Sequence, residues 1–213
     1  MSRRFLVISA LIAAITMVAG LLVFDTPLVL AIHGSGIENL PLFANTLHVL
    51  DSAFGLHASY WLAPSVCLTL GLVAAYLSTV SRLSRALAMA IVSAGLVQAA
   101  TIALMMLGKS TFGRLRPAQL LESGDWSVTW FVGGGSFPSG HSAFYFGLFL
   151  PLAASAPRMW QRAALLVFPL FAVSARIDLG KHFLSDVAAS ALVAACMALL
   201  VIPLMRRWQG RAS

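Results

Sequence analysis

The sequence predicts an all-α fold: a bundle of six membrane-crossing helices with both termini cytoplasmic, forming a single domain over residues 1–213. Three observations predict it: the composition, the apolar stretches and the placing of the charges. The 213-residue chain is 60% hydrophobic and only 10% charged, with a mean hydropathy of +0.90. Soluble chains are about half apolar and about a quarter charged, so a soluble fold of this size would lack the polar side chains to cover its surface. A soluble enzyme, a disordered tail and a disulfide scaffold are thereby excluded.

A hydrocarbon core about 30 Å thick needs roughly 20 apolar residues per helix. The first stretch, Phe5–Phe24, follows Arg3 and Arg4. A signal peptide is its alternative reading, but the stretch is longer than a usual signal core, which favours a retained helix. Tyr60–Val80, Ala86–Leu107 and Val187–Met205 are long and uncharged, as is the stretch from Ser139 to about Ala156. Ala163–Ala175 is short and becomes long enough if its helix starts at Pro157, a residue suited to a first helical turn. Arg158 and Arg162 then snorkel to the interface. Cys67 and Cys196 fall within apolar stretches and read as buried hydrophobes.

Six spans sort the charges by side. The N-terminus, Arg82–Arg85, Pro157–Arg162 and the C-terminus carry Arg3, Arg4, Arg82, Arg85, Arg158, Arg162, Arg206, Arg207 and Arg211, with no acidic residue. The other side carries Lys109, Arg114, Arg116, Arg176 and Lys181, together with all seven acids and all five histidines. The excess of arginine on one side places that side in the cytoplasm. The net charge of +7 is therefore topological, and no nucleic-acid partner is expected.

The outward side holds a loop of about 35 residues (Asp25–Ser59), one of about 30 (Gly108–Pro138) and a short link, Arg176–Ser185; unstructured loops of such length are usually functional. Three clusters lie there: Lys109 to Arg116-Pro117, Pro138-Ser139-Gly140-His141, and Arg176 through His182 to Asp186. Lys109, Arg116 and Arg176 supply three cations suited to phosphate oxygens. Ser139 and Gly140 precede a helix whose free N–H groups form an anion site. His182 and Asp186, four apart, share a face on a continuous helical turn; with one ring nitrogen held by Asp186, the other is free to attack. His141 is a second imidazole for acid–base work. Together these make a phosphate cradle with a nucleophile, an orienter and a proton donor. No metal or other cofactor is expected, because positive side chains can neutralise phosphoryl charge and the His and acidic residues lack metal-ligand spacing.

These residues resemble the type-2 phosphatidic acid phosphatase (PAP2) family, whose site is shared with vanadium haloperoxidases. The family pattern is a lysine, six residues, Arg-Pro; then Pro-Ser-Gly-His; then Ser-Arg, five residues, His, three residues, Asp. Lys109 with Arg116-Pro117, Pro138–His141, and Arg176, His182 and Asp186 fit it in order over about 109–186. The family serine before the last arginine is Ala175 here, and Ser174 is expected to point elsewhere. The resemblance implies that His182 attacks phosphorus to form a phosphohistidine and that Asp186 holds His182. It implies that His141 protonates the leaving oxygen and then activates water, and that Lys109, Arg116, Ser139, Gly140 and Arg176 hold the phosphoryl oxygens.

The resulting expectation is metal-independent hydrolysis of a phosphomonoester or diphosphate on a membrane lipid, at the periplasmic face of a bacterial inner membrane. The partners expected are the bilayer and the lipid phosphate, with no obligate protein partner evident. Undecaprenyl diphosphate, phosphatidylglycerol phosphate, phosphatidic acid and the 1-phosphate of lipid A are the candidate substrates. Phosphate transfer to another lipid, a lipid-binding or transport protein lacking catalysis, and a vanadate-dependent haloperoxidase are the alternatives.

Around this core the reading is plainer. Arg114 is a head-group contact or a solvated side chain, and Asp178 and Lys181 are loop residues. His33, His48 and His57 lie at no ligand spacing. Leu40, Leu42, Phe43, Leu47, Leu50 and Phe54 place an amphipathic helix over Ile37–Ala58, at the interface or capping the bundle. Trp126, Trp130 and Phe131 form an aromatic belt or line the path to the site.

Overall fold

Long uncharged runs favour helices that satisfy their own backbone groups, and the chain folds accordingly, with Pro151, Pro169 and Pro203 inside three of the helices. A computed structural model describes residues 2–36, 38–79 and 84–211, with side chains described to residue 206. The helices are α1 (Arg3–Ala19), α2 (Asp25–Ser35), α3 (Pro41–Ala53), α4 (Leu62–Leu77), α5 (Arg85–Phe112), α6 (Pro117–Ser123), α7 (Gly140–Ser155), α8 (Met159–Asp178) and α9 (Leu184–Arg211). No strand is present among the described residues. Val80, Arg82 and Ile37, which bound or fill predicted segments, lie outside them.

Serine caps set two of the helix starts. The Oγ of Ser2 accepts the Phe5 N–H at 3.3 Å, and that of Ser84 accepts the Leu87 N–H at 3.4 Å, each satisfying a donor the first turn cannot. Gly113 ends α5 with φ +48°, a left-handed conformation that glycine adopts without penalty. The chain therefore leaves the helix four residues after Lys109.

Six long helices (α1, α4, α5, α7, α8 and α9) run alternately between two ends. α4 and α5 are antiparallel, with Gly71 against Val92 and Gly95 against Cys67 and Leu68. In α7, Gly147 lets the backbone of α5 approach, since a β-carbon there would lie 2.9 Å from the Cα of Gln98. α1 packs along α9: Leu6 shares a core with Ala198 and Ile202, and Gly20 abuts Ser185 at the opposite end. A second core joins α3, α5, α7 and α8, with Phe54 edge-on to Tyr145, Phe149 and Phe168.

Among the described residues, length and apolarity qualify three helical stretches to cross a membrane: Arg3–Ser35, Arg85–Ser123 and Leu184–Arg206. Two of the other expected spans are shorter than predicted. α4 and α7 have 16 residues each, a rise of about 24 Å. α8 begins at Met159, so Pro157 precedes the helix rather than opening it. Arg162 at this end donates to the Ala156 carbonyl at 3.0 Å.

The first outer loop is corrected most. The chain does not leave the helix at Asp25: α1 passes through one wide π turn, Gly20–Phe24, into α2, and Asp25 turns inward, 5% exposed. The amphipathic segment forms α3, and its apolar face, with Leu47 3% exposed, packs on the bundle. It caps the core.

Candidate active site

All three sequence clusters meet at the end of the bundle where α5 and α8 finish and α7 and α9 begin. Lys109, on the last turn of α5, donates through Nζ to the Gly135 carbonyl. Arg116 flanks the same glycine: a β-carbon on Gly135 would lie 3.8 Å from an Arg116 Nη and 3.9 Å from Lys109 Nζ. Arg176, on the last turn of α8, lies within electrostatic reach of Arg116, and Lys109 within reach of both. Among the described residues none of these three half-buried cations has a carboxylate partner, and the buried Nε of Arg176 has no hydrogen-bond acceptor.

Ser139 is the N-cap of α7. Its Oγ accepts the Ser142 N–H at 3.4 Å, and its own N–H donates to the Asp186 carbonyl at 3.1 Å. The expected anion donors thus narrow to the Ser139 hydroxyl and the N–H groups of Gly140 and His141, which have no acceptor among the described residues. Gly140 is tightly approached by Tyr60, since a β-carbon would sit 2.4 Å from the Tyr60 hydroxyl. Tyr60 stands within electrostatic reach of Arg176 and Arg116, a neighbour the sequence placed only at the start of a span.

His182 lies in the link before α9, and Asp186 in the first turn of that helix. They face each other, but not across one continuous helical turn. His182 Nδ1 stands 3.7 Å from Asp186 Oδ2, beyond hydrogen-bond distance, and has no other partner. The carboxylate is occupied elsewhere: Oδ1 accepts from Arg114 at 2.6 Å, and Oδ2 accepts from Ser136 Oγ at 2.5 Å and the Phe183 N–H at 2.8 Å.

Burial holds the His182 imidazole down at about 4; the Asp186 carboxylate opposes this, and the Lys109 and Arg176 charges reinforce it. His182 is thus neutral at pH 7, with an unprotonated nitrogen, as a nucleophile requires. Nitrogen-15 spectra of histidine-labelled protein should show His182 neutral down through pH 5.5; protonation near 6.5 would overturn this. The sign for stability follows. The unfolded chain takes up a proton near 6.5 and the folded chain only near 4. The contribution is complete above 6.5 and is lost as the pH falls toward 4.

Three residues that the sequence left peripheral belong to this end of the bundle. Arg114, read as a head-group contact or a solvated side chain, is 5% exposed. It bridges Asp186, Ser185 Oγ (2.7 Å) and Asp25 Oδ2 (2.8 Å), and its guanidinium lies over the rings of Phe183 and Trp130 at 3.9 and 4.5 Å. Asp25 also accepts the Ser185 N–H at 2.9 Å; the absence of a side chain at Gly20 leaves room for both partners, each 2.9 Å from where a β-carbon would stand. Asp51 of α3 accepts from Tyr145 at 2.8 Å and pairs with His141 Nε2 at 3.0 Å.

The remaining expectations sort simply. Ser174 points away, its hydroxyl bonded to the Leu170 carbonyl at 3.0 Å, while Ala175 is buried. Asp178 is the last residue of α8, not part of a loop, and accepts the Leu40 N–H at 2.9 Å. Trp126 packs near Leu120 and Phe183, and Phe131 is 73% exposed. No group of three or more His, Cys, Asp or Glu placed to hold a metal occurs among the described residues.

Neither the curated proteins nor the solved structures contain a significant match to the chain. The family model described as the PAP2 superfamily matches residues 83–209, more than half of the chain. The chain belongs to the PAP2 superfamily, whose phosphatase members act on phosphate esters.

Proposed function

We propose that this protein hydrolyses a phosphomonoester or diphosphate carried by a membrane lipid, through a phosphohistidine on His182 and without a metal. The observation that carries the reading is the set of three half-buried cations, Lys109, Arg116 and Arg176, lacking carboxylate partners among the described residues and gathered at the N-terminus of α7 beside a neutral histidine. Uncompensated buried charge is costly; an arriving phosphate relieves that cost, and the same charges then stabilise the transferring group. His182 attacks phosphorus through Nε2, the nitrogen turned away from Asp186. His141 protonates the leaving oxygen, then takes a proton from the water that cleaves the phosphoryl–nitrogen bond. The Ser139 hydroxyl and the Gly140 N–H complete the cradle.

A lipid substrate is supported by the flanks of the bundle, where large apolar side chains such as Leu22 (77% exposed) and Leu70 (59% exposed) face outward. In this reading all six long helices cross the bilayer. The arginine-rich end faces the cytoplasm and the site faces the periplasm of a bacterial inner membrane. The short α4 and α7 are accommodated by flanking interfacial residues and local bilayer thinning.

The test is phosphate release from a panel of purified lipid phosphates and diphosphates by the full chain in detergent, with a chelator present. Release from at least one lipid, unchanged by the chelator and inhibited by vanadate as a phosphate mimic, is the expected result. No release from any lipid would overturn the hydrolase reading, and loss on chelation would overturn its metal-free part.

A further inference from the structure

His141 lies in the first turn of α7, and Tyr145 lies one turn later on the same face. A single carboxylate from another helix bridges the two: Asp51 Oδ2 meets His141 Nε2 at 3.0 Å, and Asp51 Oδ1 accepts from the Tyr145 hydroxyl at 2.8 Å. Asp51 is 5% exposed and Tyr145 is fully buried. The position is built: the Leu56 N–H closes the end of α3 on the Asp51 carbonyl at 2.8 Å, and Phe54 packs edge-on against Tyr145. Asp51 lies before residue 83, where the family match begins.

A buried carboxylate can only accept at this distance, so it fixes the tautomer of the ring that donates to it. Nε2 carries the hydrogen, and Nδ1 is the nitrogen left for proton transfer. The other charged groups within reach of His141 are the cations Arg176 and Lys109. Both disfavour an imidazolium, so a proton donor at this position needs a nearby negative charge, and Asp51 is the carboxylate that touches it.

We propose that Asp51 is the positioning residue of His141: it holds Nε2–H so that Nδ1 handles the proton in both half-reactions. The proposal rests on the hydrolase reading above. In the first half-reaction the bond from phosphorus to the leaving oxygen breaks as His182 Nε2 bonds to phosphorus, and the Nδ1 proton passes to that oxygen. In the second, a water oxygen bonds to phosphorus, the phosphorus–nitrogen bond breaks, and the proton lost by the water returns to Nδ1. The ring is an imidazolium before the first transfer and after the second, and neutral while the phosphohistidine stands; the Asp51 charge stabilises the charged form.

The test compares the full chain with its Asp51→Asn and Tyr145→Phe variants on two substrates, an alkyl lipid phosphate with a poor leaving group and p-nitrophenyl phosphate with a good one. General-acid assistance is worth about 10²–10⁴-fold and matters most for the poor leaving group. Asp51→Asn should therefore lose about 100-fold on the alkyl phosphate, with less than about a tenth of that loss on the nitrophenyl ester. Tyr145→Phe, which keeps the carboxylate and removes its hydroxyl donor, should show the same selectivity with a smaller loss. Equal losses on both substrates in both variants would mean that the contact only holds α3 in place, and would overturn the proposal. Nitrogen-15 histidine spectra give a readout free of activity. At a pH where the ring is neutral, the intact protein should show His141 as the Nε2–H tautomer, and Asp51→Ala should return it to a mixture; an Nδ1–H tautomer in the neutral ring of the intact protein would overturn the pairing. If the intact protein hydrolyses neither substrate, the hydrolase reading fails, and with it the proton-transfer role, while the spectra still decide the pairing.

Discussion

Replacing His182 with alanine lowers phosphate release by on the order of 10⁴–10⁶-fold, the loss seen when a catalytic nucleophile is removed. The expectation comes from a ring that is 2% exposed yet neutral, lies within electrostatic reach of two cradle cations, and is set apart from its carboxylate at 3.7 Å. Thermal unfolding in detergent should change far less than activity, because His182 Nδ1 has no hydrogen-bond partner among the described residues. Release within tenfold of the intact protein would sink the nucleophile assignment. A covalent label gives an independent reading: quenching with phosphorus-32 substrate should leave an acid-labile, base-stable label on the intact protein and none on His182→Ala. His141→Ala should accumulate that label from p-nitrophenyl phosphate, since attack on a good leaving group needs no acid, whereas the second step still needs a base. A label that survives His182→Ala would place the nucleophile elsewhere.

The parts of this site that were legible in the sequence are those whose chemistry is written at short spacing. Lys109 to Arg116, Pro138 to His141 and Arg176 to Asp186 each span a few turns at most, and each sits at the edge of a long apolar run. Packing the runs was enough to bring the clusters together. The illegible parts are pairs. Asp25 and Arg114 are 89 residues apart, and Asp51 and His141 are 90 apart; nothing local in either member names its partner. A signal did exist for Asp25. It ends the first apolar stretch, and an ionisable residue at that depth needs a partner, while Arg114 sat inside a motif without a family position. The helix running on to Ser35 was illegible for a related reason. A charge after 20 apolar residues reads as the end of a span, unless the charge is known to be neutralised within the protein.

That neutralisation carries the second large effect, expected at Arg114. Its guanidinium is 5% exposed and lies between Asp25, also 5% exposed, and Asp186, which is fully buried. Arg114→Ala leaves two carboxylates facing a low-dielectric interior without their cation, and removing one partner of a buried ionic group costs about 3–5 kcal/mol. Asp186 Oδ1 also loses its donor, leaving the carboxylate that faces His182 held only through Oδ2 by Ser136 and the Phe183 N–H, and turnover should fall in whatever protein remains folded. Asp25→Asn should cost less, since Arg114 keeps Asp186 and Ser185. The two substitutions should not add: with Arg114 gone, neutralising Asp25 removes one stranded charge, so the double variant should unfold at a higher temperature than Arg114→Ala alone. Thermal unfolding of the four proteins in one detergent measures this cycle. If Arg114→Ala melts with the intact protein, or if the Asp25 and Arg114 effects simply sum, then the triad does not hold this end of the bundle together, and the coupling drawn from α2 through Arg114 to Asp186 is wrong.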